Sequence, residues 1–132
     1  MLPKIKINYQ LKIIEVLEDG FRALLPDDKR YINTIKDTKA LKDHSFEKNN
    51  IVDVTIELVE NKREDIAELN KVEYYIGIKE IASNGMFTKT YIEGEKYRSI
   101  LWWESRGMIT SKILEKNPFE IGDLIKVTIR RR

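Results

Sequence analysis

The segment Val52-Asp53-Val54-Thr55-Ile56-Glu57-Leu58 alternates apolar and polar residues without a break, and so does Ile125-Lys126-Val127-Thr128-Ile129-Arg130. Side chains on a strand point to opposite faces in turn, so this pattern specifies a strand with one buried and one solvated face. Each run closes a longer series that occurs twice. At the front, Ile13, Glu15, Val16 and Gly20 match Ile78, Glu80, Ile81 and Gly85 at one constant offset. At the back, Ser45, Phe46 and Glu47 match Pro118, Phe119 and Glu120, and Val52, Val54 and Ile56 match Ile125, Val127 and Ile129. The back offset is larger by eight, so the second copy carries extra residues around Tyr97–Gly107. An internal duplication of a β-rich unit is the simplest account.

Within each copy the punctuation is that of hairpins. Gln10–Leu17 and Phe21–Leu25 flank Asp19-Gly20, and Tyr74–Ala82 and Met86–Ile92 flank Ser83-Asn84-Gly85. Tight turns that require positive φ favour such residues. A middle strand is faint around Lys29–Ile32 in the first copy. Asn33–Asp43 and Met108–Lys116 are candidates for a short helix before the last strand of each copy. Between the copies, Asn61–Lys71 is heavily charged and reads as a short linker helix or solvated loop. The expected organisation is a first unit at 1–60, a charged linker at 61–71 and a second unit at 72–132.

Composition narrows the chemistry. The chain of 132 residues has no cysteine and one histidine, His44. That excludes disulfide frameworks and thiol catalysis and argues against histidine-based metal sites or triads. Phosphate loops, dinucleotide fingerprints and nucleophile elbows are absent. Asp27-Asp28, near Glu18-Asp19, could in principle hold a divalent cation, but beside Pro26 they read as turn formers. His44, among Lys42, Asp43 and Ser45, reads as a surface histidine. The expectation is a non-enzymatic chain with no catalytic residue, metal or cofactor. The N-terminal stretch intersperses lysines among its apolar residues and has no continuous apolar core, so neither signal peptide nor membrane span is expected, and the setting is read as cytoplasmic.

The formal net charge is +2, too small for a global basic field. It is unevenly divided. Residues 1–60 contain ten Lys/Arg against eleven Asp/Glu, and residues 72–132 contain eleven against eight. A polyanion would therefore meet the second copy. There, alternation puts Phe87, Lys89 and Tyr91 in one row, with Arg98 and Trp102 close by in sequence. Rings on which bases stack, beside cations that meet phosphates, make a platform for single-stranded nucleic acid. The competing use of the same aromatics is to enlarge a thin core or to form a protein interface.

The second copy resembles the cold-shock-like oligonucleotide-binding (OB) barrels. Tyr75-Ile76-Gly77-Ile78-Lys79 is similar to their first strand, Gly85-Met86-Phe87-Thr88-Lys89 to the aromatic second strand, and Ile100–Ser105 to the third. Phe119-Glu120-Ile121-Gly122-Asp123-Leu124-Ile125-Lys126-Val127 is similar to their Gly-Asp step into the last strand. The resemblance implies a small five-stranded barrel that binds single-stranded RNA or DNA across strands two and three. The first copy departs from it: Asn49-Asn50 stands where the second has Gly122-Asp123, and Phe21 and Tyr31 are its only stacking candidates. The expected fold is mainly β, with two small OB-like barrels in tandem and a short helix before each last strand. The alternative is one six-stranded cradle-loop barrel built from two interlocked repeats. The expected function is single-stranded RNA or DNA binding through Phe87, Lys89, Tyr91, Arg98 and Trp102. A protein partner on the same aromatics is the alternative.

Overall fold

A computed structural model describes residues 6–26, 28–59, 67–68, 70–78, 87–92, 95–105 and 119–132, with the side chains of 28–31, 67–68, 87–92, 95–98 and 100–105 left out. Nine strands appear among them: β1 (Lys6–Leu17), β2 (Gly20–Leu25), β3 (Asp28–Asp37), β4 (Ile51–Leu58), β5 (Ala67–Glu68), β6 (Lys71–Gly77), β7 (Phe87–Ile92), β8 (Glu95–Ser105) and β9 (Leu124–Arg131). They form one antiparallel sheet in the order β5-β6-β9-β4-β1-β2-β3-β8-β7. The sheet is curled and barrel-like, and β6 touches β7 near the far end of the order.

Alternation sets which face is buried. Val52, Val54 and Ile56 of β4, Ile125, Val127 and Ile129 of β9, and Val72, Tyr74 and Ile76 of β6 are all buried, with their polar neighbours on the other face. Each such Ile or Val contributes about 1.5–3 kcal/mol by leaving water. Tyr9, Leu11 and Ile13 of β1, Phe21 and Ala23 of β2, and Ile35 of β3 join them in a single hydrophobic cluster. Phe21, one of the stacking candidates, is fully buried there.

The duplication is written into the ladders. Ile7, Tyr9 and Leu11 pair with Ile56, Val54 and Val52, and at the equivalent positions Val72, Tyr74 and Ile76 pair with Ile129, Val127 and Ile125. The crossing turns match bond for bond. The Asn49 N–H donates to the Ile13 carbonyl at 2.8 Å and the Ile13 N–H to the Asn50 carbonyl at 3.0 Å. In the second half the Gly122 N–H donates to the Ile78 carbonyl and the Ile78 N–H to the Asp123 carbonyl, both at 2.9 Å. Asn50 Oδ1 accepts the Glu47 N–H at 2.8 Å, as Asp123 Oδ2 accepts the Glu120 N–H at 2.9 Å. Asn49 and Gly122 both have positive φ, 75° and 98°. The replacement of Gly-Asp by Asn-Asn is therefore conservative, because Asn tolerates the left-handed region and its amide oxygen accepts the same bond.

The two halves meet through β4 and β9, with Thr55 opposite Thr128. These two residues are equivalent in the repeat, so a local two-fold axis passes through that pair. At the ends of the seam the Val59 N–H donates to the Leu124 carbonyl and the Arg132 N–H to the Ile51 carbonyl, each at 2.9 Å, again a symmetric pair. β3 and β8 form a second junction between the halves.

Several expectations need correction. Among the described residues there is no helix. The helix expected over Asn33–Asp43 is instead the end of β3 followed by turns. Thr34 and Ile35 are β-branched, and β3 has a partner on each edge, β2 and β8, which supply the backbone hydrogen bonds a helix would have made internally. The other candidate helix, Met108–Lys116, lies outside the described residues. In the charged linker, Ala67–Glu68 pairs with the start of β6, while 61–66 and 69 lie outside the described residues. Two barrels with separate cores are not borne out by the described strands, since sheet and core run through both halves. Interlocked repeats have that property, although the described sheet has nine strands rather than six.

Candidate nucleic-acid interface

The five candidate residues lie on β7 and β8, strands whose backbone is described and whose candidate side chains are not. Phe87 pairs with Trp102 and Lys89 with Ile100, while Thr88 pairs with Leu101 and Thr90 with Ser99. Ser99 is 1% exposed and pairs across β3 with Asp37, which is 2% exposed. By alternation Phe87, Lys89, Ile100 and Trp102 therefore share the face opposite the core. The register breaks between Thr90 and Ile92, opposite Glu95–Ser99. Tyr91 and Arg98 fall within that break, where alternation no longer assigns a face. The ladder thus brings together Phe87, Lys89 and Trp102 and leaves Tyr91 and Arg98 at an irregularity.

Across β8 the same face continues into the first half. Trp102 pairs with Thr34 and Ile100 with Lys36, and on the next strand Thr34 pairs with Arg22 and Lys36 with Gly20. Sequence patterning did not single out Thr34, Lys36 or Arg22. Their only signal is an alternation that assigns a face without naming the neighbouring strand. Ile32, further along this face, is 6% exposed and lies outside the core cluster, so this face is covered at that end.

Beneath this wall a polar cluster fixes the junction. Asp37 Oδ1 accepts the Lys39 N–H at 2.9 Å and the Ala40 N–H at 2.6 Å, and Asp37 Oδ2 accepts the Ser99 hydroxyl. The carboxylate ends β3, shapes the following turn and ties the first half to β8 of the second. The Tyr9 hydroxyl donates to Asn33 Oδ1 at 3.1 Å, and both residues are buried. Burial pushes the Tyr9 phenol well above its ordinary value, because the phenolate would lose its hydration there.

His44 is not a loose surface residue. Its Nε2 lies 2.9 Å from the Leu17 carbonyl and 2.8 Å from the Gly20 carbonyl, and its Nδ1 accepts the Phe46 N–H at 3.1 Å. Those partners assign the proton to Nε2. The ring packs edge-on to Phe21 and tilted against Phe46, with centroids 6.3 and 5.7 Å apart. His44 staples the β1–β2 turn to the loop before β4. Gly20 also has a reason different from the turn chemistry expected of it. It is not among the residues with positive φ, but a Cβ there would lie 2.0 Å from the Ile35 carbonyl oxygen.

The face outward of β1, β4, β9 and β6 carries ion pairs. Lys126 pairs with Glu57 at 3.6 Å, Lys71 with Glu73 at 2.9 Å, and Arg132 with Asp53 at 2.7 Å. The Asp53 carboxylate raises the Arg132 guanidinium above its ordinary value. Among the described residues no group of three Asp, Glu or His side chains could hold a metal ion, and Asp27 lies outside them. Among them, too, no helix is long and apolar enough to cross a membrane. No protein-family model, curated protein or solved structure matches the chain.

Proposed function

We propose that the protein is a non-enzymatic, cytoplasmic binding module for single-stranded RNA or DNA, acting through Phe87, Lys89, Tyr91, Arg98 and Trp102. In this reading residues 1–60 and 72–132 are two OB-like repeats joined by 61–71. The observation that carries it is the register of β7 on β8: Phe87 stands opposite Trp102, one step along the same face from Lys89. Two aromatic residues side by side and a cation about 7 Å further along the strands match the needs of a base stack and its phosphates. The buried Asp37–Ser99 contact on the other face of β8 supports it by holding that strand in place.

The test is a titration of intrinsic tryptophan fluorescence with 12-nucleotide oligo(dT) and oligo(U) at low salt. Quenching is expected, with log K falling against log salt by about 0.7 per phosphate contact. Trp102→Ala should remove most of the quenching and weaken binding by about 1–3 kcal/mol. Absence of quenching by both oligonucleotides at low salt overturns the proposal. If Trp102→Ala instead changes the oligomeric state, and oligonucleotides do nothing, the aromatics serve a protein interface.

A further inference from the structure

We infer that the nucleic-acid surface is shared between the two halves: Thr34, Lys36 and Arg22 of the first half extend it across the β3–β8 junction. A bound strand then crosses β7, β8, β3 and β2 instead of running along one hairpin. This rests on the single-strand-binding reading above and adds residues that the second half does not contain.

The ladders carry the argument. One row on the face opposite the core reads Phe87, Trp102, Thr34, Arg22 across four strands, and the next reads Lys89, Ile100, Lys36, Gly20. With strands about 4.8 Å apart, Phe87 and Arg22 stand about 14 Å apart, and Lys89 and Lys36 about 10 Å. The first row thus offers two neighbouring aromatic positions and a guanidinium, beyond which stands Glu15 of β1. The second has a cation on either side of Ile100. Register puts two acidic positions beside these rows, Glu104 opposite Ile32 and Glu15 opposite Arg22.

Lys36 and Arg22 both stand partly exposed on this face. Their side chains are 37% and 34% exposed, and each meets an acid at the surface: Lys36 Nζ is 3.7 Å from Asp19 Oδ1 and Arg22 donates to Glu15 Oε2 at 3.2 Å. The exposed Lys36–Asp19 pair is weak, so its exchange for a phosphate costs little. On the outward face of β1, β4, β9 and β6, Asp53, Glu57 and Glu73 are likewise paired with Arg132, Lys126 and Lys71, and that face has no pair of neighbouring aromatic positions on its ladders to stack bases.

The experiment uses the full chain and fluorescein-labelled 12-nucleotide oligo(dT), with anisotropy followed across a salt series. Lys36→Gln and Arg22→Gln are each expected to lower the magnitude of the salt slope by about 0.7 and to weaken binding alike for different base sequences. Lys36→Arg should restore the slope, and Lys126→Gln on the opposite wall should leave it unchanged. Far-UV circular dichroism verifies that each variant keeps its strands. If wild type binds and Trp102→Ala weakens it, but the Lys36 and Arg22 variants keep the full slope, the shared surface is refuted and the binding reading survives. If wild type does not bind at low salt, both fall.

Discussion

Replacing Gly20 by Ala should be among the most damaging single-methyl changes this chain can receive. The added Cβ would sit 2.0 Å from the Ile35 carbonyl oxygen and 2.9 Å from both the Ile35 carbonyl carbon and Lys36 Cα, against an ordinary contact of 3.4–4 Å. All three are backbone atoms, so no rotamer change gives relief. To open the closest contact to 3.4 Å, the strand ends must part by 1.4 Å, the difference between the two distances. That movement strains the Gly20–Lys36 step of the β2–β3 ladder, the bond from the Asp37 N–H to the Asp19 carbonyl (2.9 Å) and the His44 contact to the Gly20 carbonyl. Forced overpacking of this severity costs at least about 3 kcal/mol, a large part of the roughly 5–15 kcal/mol that stabilises a domain.

The assay is equilibrium urea unfolding followed by fluorescence, with stability compared at equal m-value. Two other glycines calibrate it. A Cβ at Gly77 meets nothing within 4 Å, so Gly77→Ala should be neutral or stabilising by up to about 1 kcal/mol. Gly122→Ala also has open space, but it forces a side chain to φ +98° and should cost about 1–2 kcal/mol. The expected order of loss is Gly20, then Gly122, then Gly77. A Gly20→Ala protein within 0.5 kcal/mol of wild type, or a larger loss at Gly77, would refute the packing argument.

Three further outcomes follow from single contacts. Asp37→Ala leaves two backbone N–H groups and the Ser99 hydroxyl without their acceptor and should cost about 3 kcal/mol by urea unfolding, with Asp37→Asn milder because one oxygen remains. Asn50→Ala should cost about 1 kcal/mol through the lost Glu47 bond. Asn50→Asp, which copies the equivalent Asp123, should stay within about 0.5 kcal/mol of wild type. The third concerns alkali. The Tyr9 phenol is raised in the folded chain, so above pH of about 10 the unfolded state releases a proton that the folded state keeps. Its contribution is fully present below that pH and should fall by about 1.4 kcal/mol per pH unit above it. Tyr9→Phe should be less stable at neutral pH, through loss of the Asn33 bond, and shallower in its alkaline decline.

Much of the architecture was legible in local pattern. Alternation identified β4 and β9 and their buried faces, apolar runs marked β1 and β6, and the two offsets of the repeat carried over into equivalent registers: Tyr9 on Val54 and Tyr74 on Val127. Even the Asn49-Asn50 departure kept the geometry of Gly122-Asp123. Where the reading failed, the deciding contact was remote. Asn33–Asp43 carries enough polar and helix-compatible residues to pass for a helix, until β2 and β8 claim both edges of Thr34–Asp37. His44 looked exposed among charged neighbours, although the carbonyls that hold it are 27 and 24 positions away.

The candidate site divides in the same way. Phe87, Lys89 and Trp102 could be put forward from two short strands, but Tyr91 and Arg98 depend on a register break that period two does not foresee. The neighbours Thr34, Lys36 and Arg22 come from the other half of the chain. The sequence by itself determined that Val52–Leu58 and Ile125–Arg130 are strands with one apolar face each and that their pattern occurs twice, because side-chain alternation is a local property. Only the tertiary structure decided that β4 joins β9, that β3 joins β8, and that both halves share one sheet and one core. Strand edges present the same N–H and C=O groups whatever the side chains, so alternation cannot name the partner. That choice is settled when the apolar faces of both halves are buried together.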